Sequence, residues 1–355
     1  MRRARIVIAV IAAVATTAAT PAFGQTPSFT YTLFEKYLDS YREQFGIPAL
    51  SAIVLQGGER VGASGLGKQD VEANIAATPD TPYFVGNLSQ IFGSTLLLEK
   101  CYDEDTLELK DSVVRWVPGY LDQTTKVGQL LTHQSPAGAY AYDPDRFADL
   151  TGVVEECADL PYRHSLVSEI FDRAAMGRSV PGRTLDGVMY PGGASFSGAQ
   201  LARYNDVLAQ MAKHYRVDRG QPVRASVPLQ PVSAATGVIT TAPDLAAFDN
   251  ALRLPGGLLS RDALTVAWTQ AGGTSPMPTG LGWFVQNYVG HNEPLIWQFD
   301  FTRDVASSLI VKLPARDLTF IVLANSDGLT RTSNLAAGDA QASPFVKLFL
   351  RFFAP

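Results

Sequence analysis

The sequence predicts an α/β (α+β) fold in which β-rich ends enclose a helical middle. Three observations carry this. Residues 50–66 read as a β-hairpin close to the N-terminus. Residues 104 to about 225 read mainly as helices joined by long loops. After Pro231 the strand signal returns, and it lasts until a short terminal helix.

Taken in order, Phe29 to Phe45 carries Leu33, Phe34, Tyr37, Leu38, Tyr41 and Phe45 at helical spacing, and Gly46 and Pro48 stop it. Leu50 to Leu55 and Val61 to Leu66 are short β-type runs on either side of Gly57-Gly58, a turn signal. Residues 87–101 read as a helix with Ile91, Leu97 and Leu98 on its apolar side. Val153 to Cys157 falls in one further helix and Leu201 to His214 in another. Leu281 to Gln286, Ala306 to Leu313 and Leu318 to Asn325 are strands, with Pro314 to Asp317 turning between the last two. Phe345 to Phe353 is the terminal helix. Residues 25–85 and 230–355 then form one α/β subdomain, and 86–229 a mainly helical one. No internal repeat or low-complexity linker interrupts them.

Composition narrows the function classes. The chain has 355 residues, of which 46% are hydrophobic and 18% charged, enough for a large core and unlike a disordered or coiled-coil chain. The net charge of −5, with no run of Lys or Arg, argues against nucleic acid as a partner. Two Cys and four His, none at ligand spacing, give no basis for a metal, and no cofactor is expected.

The first 24 residues read as a signal peptide. Arg2, Arg3 and Arg5 precede an apolar run from Ile6 to Ala15, and Ala22-Phe23-Gly24 suits a cleavage site that leaves Gln25 first. Ten apolar residues fall short of the roughly 20 a membrane span needs. The expected protein is therefore periplasmic or secreted, with no stable membrane anchor once cleaved. Losing three Arg takes its charge from −5 to −8. That compartment permits disulfides, so Cys101 and Cys157 either form one bridge or remain two buried thiols; spacing alone does not choose.

Several segments together resemble the serine β-lactamase and penicillin-binding-protein superfamily, in its class C β-lactamase and DD-peptidase branch. They are Tyr83 to Gln90, Leu107 to Val113 leading to Trp116-Val-Pro-Gly119, Gln129 to Ser135, Tyr142 to Glu155, Ile170 to Gly182, Ala235 to Leu245, Gly280 to Trp283 and Leu323 to Ser326. The resemblance spans nearly the whole mature chain. It implies an antiparallel sheet built from both chain ends and flanked by helices, plus a helical subdomain from the middle.

It also implies a chemistry: acyl transfer to a serine, with a lysine one helical turn later, a tyrosine from a second loop, and a Lys/His-Thr-Gly strand that binds a substrate carboxylate. In this sequence the Ser-x-x-Lys window falls on Asn87-Leu88-Ser89-Gln90. Asn87 stands at the nucleophile position and Gln90 at the lysine position, and Ser89 matches the hydroxyl residue that precedes the lysine. An amide is a poor nucleophile, and Gln takes up no proton near neutral pH. No serine in the chain has Lys at i+3, and no Gly-x-Ser-x-Gly elbow is present. The second element falls on Tyr142-Asp143-Pro144, which keeps the tyrosine and places Pro144 where the family has Asn. The third falls on Trp297-Gln298-Phe299, which lacks the cation, hydroxyl and glycine and puts a large aromatic edge in their place. His133, in Leu130 to Ser135, reads as a satisfied buried histidine.

The reading that follows is an exported β-lactamase-related protein, inactive or strongly impaired, that holds a small-molecule or peptidoglycan-like ligand between these positions. The alternative is an active serine-hydrolase-family enzyme with altered catalytic groups. Neither the ligand nor the oligomeric state is legible in the sequence.

Overall fold

Ser28 opens the first helix, α1 (Phe29–Gln44), by accepting the Tyr31 N–H on its side chain. Tyr31, Phe34 and Leu38 then face inward at helical spacing. Gly57 and Gly58 both adopt positive φ and turn strand β1 (Ala49–Gln56) back into β2 (Glu59–Asp70). Short strands β3 (Ile75–Ala76) and β4 (Tyr83–Phe84) follow. A 3₁₀ turn, Gly86–Ser89, leads without a break into α2 (Gln90–Leu97). The structure is a computed structural model that describes residues 28–185, 196–227, 229, 231–272 and 277–355. The expected signal peptide, 1–24, lies outside the described residues.

The middle of the chain carries α3 (Val127–Leu131), α4 (Pro144–Ala148), α5 (Leu150–Ala158), α6 (Tyr162–Ser165) and α7 (Gly198–Ala209). Strands β5 (His214–Asp218), β6 (Gln221–Ala225) and β7 (Ile239–Thr240) come next, then α8 (Ala242–Arg253) and α9 (Arg261–Ala267). The chain ends with β8 (Phe284–Tyr288), β9 (Glu293–Thr302), β10 (Ala306–Leu313), β11 (Leu318–Ala324) and α10 (Pro344–Phe353).

The main sheet has the order β3-β2-β1-β11-β10-β9-β8, and every neighbouring pair is antiparallel. Both chain ends therefore build one sheet, with β1 against β11 at the seam, as the resemblance implied. Its central strands are buried on both faces, so their pattern is continuous rather than alternating in polarity. The two faces nevertheless belong to different cores. Val54, Trp297, Val311 and Phe320 pack with Phe34 of α1 and Phe349 of α10. Ile53, Ile296, Ile310 and Ile321 pack with Phe92 of α2 and Phe248 of α8. This period-two partition decides which residues of β9 can reach the helical side.

One sequence expectation is corrected and one open alternative is decided. The helix expected from Leu201 to His214 ends at Ala209, and His214 starts β5, which pairs with β6 from His214↔Ala225 to Asp218↔Gln221. Tyr215 N–H donates to Asn325 O, so contact with the sheet outweighs the local helical pattern there. The middle region thus contains a hairpin as well as helices. Cys101 and Cys157 form a disulfide, with Cα atoms 5.6 Å apart, joining the end of the α2 helical run to α5. Among the described residues, no helix is long and apolar enough to cross a membrane.

Candidate active-site cleft

Asn87 lies in the 3₁₀ turn directly after Gly86, whose φ is +46°. Only glycine suits that position, because a Cβ would run into the carboxyl of Asp300. Asn87 is half-buried, whereas Ser89 and Gln90 are fully buried. The Ser89 hydroxyl accepts the Val238 N–H at 3.3 Å, which ties this turn to the segment leading into β7.

Gln90 is fixed from two sides. Its Oε1 meets His133 Nε2 at 3.0 Å and Gln298 Nε2 at 3.1 Å. His133 Nδ1 accepts the Asp143 N–H at 3.2 Å, so the ring proton sits on Nε2 and is donated to Gln90. The second Gln298 donor bond goes to Gly282 O at 3.0 Å. His133 holds a left-handed backbone, φ 51°, at the turn after α3, and this turns its ring between the two loops. Burial pulls its pKa from 6.5 down to about 4, so it is neutral at physiological pH. As the sequence predicts, His133 is buried and satisfied. It is also a member of the site, which its position in a structural segment did not disclose.

Tyr142 packs between His133 and the sheet residues Phe284 and Phe299. Its ring stands 4.5 Å from the His133 ring and 5.5 Å, stacked, from Phe299. The ring is partly exposed, but the hydroxyl is buried with no hydrogen-bond partner among the described residues. Burial first, and the charge of Asp300 second, hold the phenol proton in place. The side chains of Gln90 and Asn87 act in the opposite direction, near enough to be felt though outside bonding geometry. Pro144 occupies the first turn of α4 behind the N-cap Asp143, which accepts the Arg146 N–H at 3.1 Å. It offers no polar group to the cleft.

The third wall departs from the sequence expectation. Trp297 is fully buried and stacked on Phe284 at 4.3 Å, so it presents no edge to a ligand. The reason is the strand period: Trp297 and Phe299 share the face that packs with α1 and α10, and Gln298 and Asp300 share the other. Gln298 is therefore the residue of this triplet that reaches Gln90. Beyond Phe299 lies a surface cleft of about 660 Å³, bordered by Phe301, Arg303, Thr330 and Arg331.

Asp300 was missed by the sequence reading, although it follows the third motif on the same face as Gln298. It is fully buried. Its Oδ1 accepts the Asn87 N–H at 2.8 Å and the Thr302 hydroxyl at 3.0 Å, and its Oδ2 accepts the Thr302 N–H at 3.2 Å. Burial pushes its pKa up to about 7, against these bonds, which favour the charged form.

The site thus brings Asn87, Gln90, His133, Tyr142, Gln298 and Asp300 together. It contains no activated hydroxyl: the Ser89 hydroxyl faces Val238, and both nitrogens of His133 are engaged. Among the described residues no group of three or more His, Cys, Asp or Glu could hold a metal.

The Beta-lactamase family model matches residues 34–342. The chain belongs to this family. Solved structures agree at the level of fold. A class C β-lactamase from Rhodobacter sphaeroides superposes with a TM-score of 0.68 at 16% identity, covering 92% of this chain and 99% of that one. A β-lactamase from Sulfitobacter sp. EE-36 gives 0.69 at 17%, covering 91% and 98%. The octameric penicillin-binding protein homologue from Pyrococcus abyssi gives 0.68 at 19%, covering 84% and 74%. Among curated proteins, the teichoic acid D-alanine hydrolase of Staphylococcus aureus (strain MRSA252) is 33% identical over 95 residues, 26% of this chain and 23% of that protein. The chain matches about a quarter of the length of these curated relatives.

Proposed function

We propose that this member of the Beta-lactamase family is an exported protein that does not form acyl-enzymes and binds a ligand in the former active-site cleft. The observation that carries the reading is the pair of amides at 87 and 90, with the Gln90 oxygen committed to His133 and Gln298. Loss of a serine nucleophile lowers turnover roughly 10⁶-fold. Here the proton-accepting lysine is gone as well. Export is supported by the Arg2, Arg3, Arg5 leader and its apolar run.

Binding is supported by two polar atoms in the cleft. Tyr142 Oη and Gln90 Nε2 are buried without hydrogen-bond partners among the described residues. Each such group costs about 1–3 kcal/mol, part of which a polar ligand recovers. A peptidoglycan-like fragment or another small molecule of the cell envelope is the class proposed. The likeness to teichoic acid D-alanine hydrolases supports it.

The test is intact-protein mass after incubation with benzylpenicillin, beside turnover of p-nitrophenyl acetate. The wild type should gain no mass and release no nitrophenol above background. A stoichiometric adduct on the wild type would overturn the reading in favour of an enzyme with altered groups. Asn87→Ser alone should stay unreactive, because no base stands one turn away, and Asn87→Ser with Gln90→Lys should react measurably.

A further inference from the structure

We propose that Asp300 decides what this cleft refuses: its carboxyl occupies the Asn87 backbone amide and keeps carbonyl and oxyanion ligands off that donor. The proposal rests on the reading of Asn87 as the former nucleophile position. In acyl transfer, negative charge develops on the attacked carbonyl oxygen, and backbone N–H groups stabilise it, commonly including the nucleophile's own amide. In this protein that N–H already donates to Asp300 Oδ1 at 2.8 Å.

The arrangement is built rather than incidental. Three donors hold the carboxyl: the Asn87 N–H, the Thr302 N–H and the Thr302 hydroxyl. A fourth bond, from the Thr330 hydroxyl to Asp300 O at 3.0 Å, fixes the backbone behind it. The side chain is fully buried, and the residue it meets, Gly86, is the one residue type whose lack of a Cβ leaves room for it. Ser308, its register partner on β10, turns its own hydroxyl to Val85 O at 3.2 Å.

One N–H cannot serve two acceptors at full strength, and a carboxylate beside it repels a second negative oxygen. The cleft therefore accepts ligands that need no oxygen at Asn87, and excludes those that bind through an attacked carbonyl. Restoring Ser and Lys alone leaves this obstacle in place.

The experiment compares benzylpenicillin acylation, followed by intact mass against time, in Asn87→Ser/Gln90→Lys and in the same protein with Asp300→Ser added. Freeing the donor should speed acylation by roughly 10²–10³-fold, the effect of one such donor. Equal rates in the two proteins would overturn the proposal. Should neither protein acylate, the Asn87 amide resonance decides. In otherwise wild-type protein, Asp300→Ser should move it upfield and let methylphosphonate, the oxyanion probe, perturb it. A resonance that Asp300→Ser leaves in place overturns the proposal. Should Asp300→Ser not fold, Asp300→Ala, which carries no acceptor and leaves no buried hydroxyl, replaces it in both measurements. An adduct on the wild type would refute the non-acylating reading instead, so the two failures are distinguishable.

Discussion

Replacing His133 by Gln should change how stability responds to acid, and the structure sets the size of the change. In the folded protein the imidazole is buried and its pKa falls from 6.5 to about 4. Protonation would put a second N–H on Nδ1, facing the Asp143 N–H that this nitrogen accepts. The unfolded chain carries no such restriction and titrates near 6.5. Below that value the unfolded state binds a proton that the folded state refuses. The contribution of His133 is thus complete above pH 6.5 and is lost as pH falls toward 4. Between pH 7 and pH 5 it amounts to about 2 kcal/mol of stability. Urea unfolding at those two pH values, on wild type and His133→Gln, measures it. The variant pays its own cost at both pH values, so only the pH-dependent part is compared. The wild type should lose about 2 kcal/mol more than the variant on acidification. The same pH dependence in both proteins would show that the imidazole is not held neutral in the Gln90 network.

Two further predictions concern the frame around the cleft. Opening the Cys101–Cys157 bridge, which closes a span of 56 residues, by Cys101→Ser/Cys157→Ser should lower stability by about 4 kcal/mol on the chain-entropy relation. Guanidinium unfolding with and without reductant checks it; a wild type insensitive to reduction would contradict it. On the helical face of β10, Lys312 forms a buried ion pair with Asp249 of α8, and Thr319 donates a hydroxyl bond to the same carboxylate at 2.9 Å. Asp249→Asn should cost about 3–5 kcal/mol by stranding the lysine, and Asp249→Leu with Lys312→Met should recover most of it. Calorimetric melting of the three proteins decides this; a double variant as unstable as the single one would refute it.

Much of the fold was legible because its signals are local. The Gly57-Gly58 turn, the Pro314 to Asp317 turn and the helical spacing of Phe29 to Phe45 each follow from a few neighbouring residues. The amides at 87 and 90 were legible in the same way, since a motif states which residue types stand one helical turn apart. Other features were not. His214 begins a strand because Tyr215 N–H meets Asn325 O, a partner 110 positions away. The disulfide depended on two Cα atoms lying 5.6 Å apart, which only the packing of the α2 run on α5 provides.

The cleft divides along the same line. From sequence alone it follows that no serine of this chain has a lysine three residues on and that amides stand at 87 and 90, because those are statements about residue identity. Tertiary structure alone decided that Trp297 turns away into the α1 and α10 core while Gln298 reaches Gln90, that His133 grips Gln90 from the other side, and that the Asp300 carboxyl lies on the Asn87 amide. The physical reason is that hydrogen bonding and burial depend on distance in space. The carboxyl that holds the Asn87 amide lies 213 residues away along the chain and 2.8 Å away in the fold.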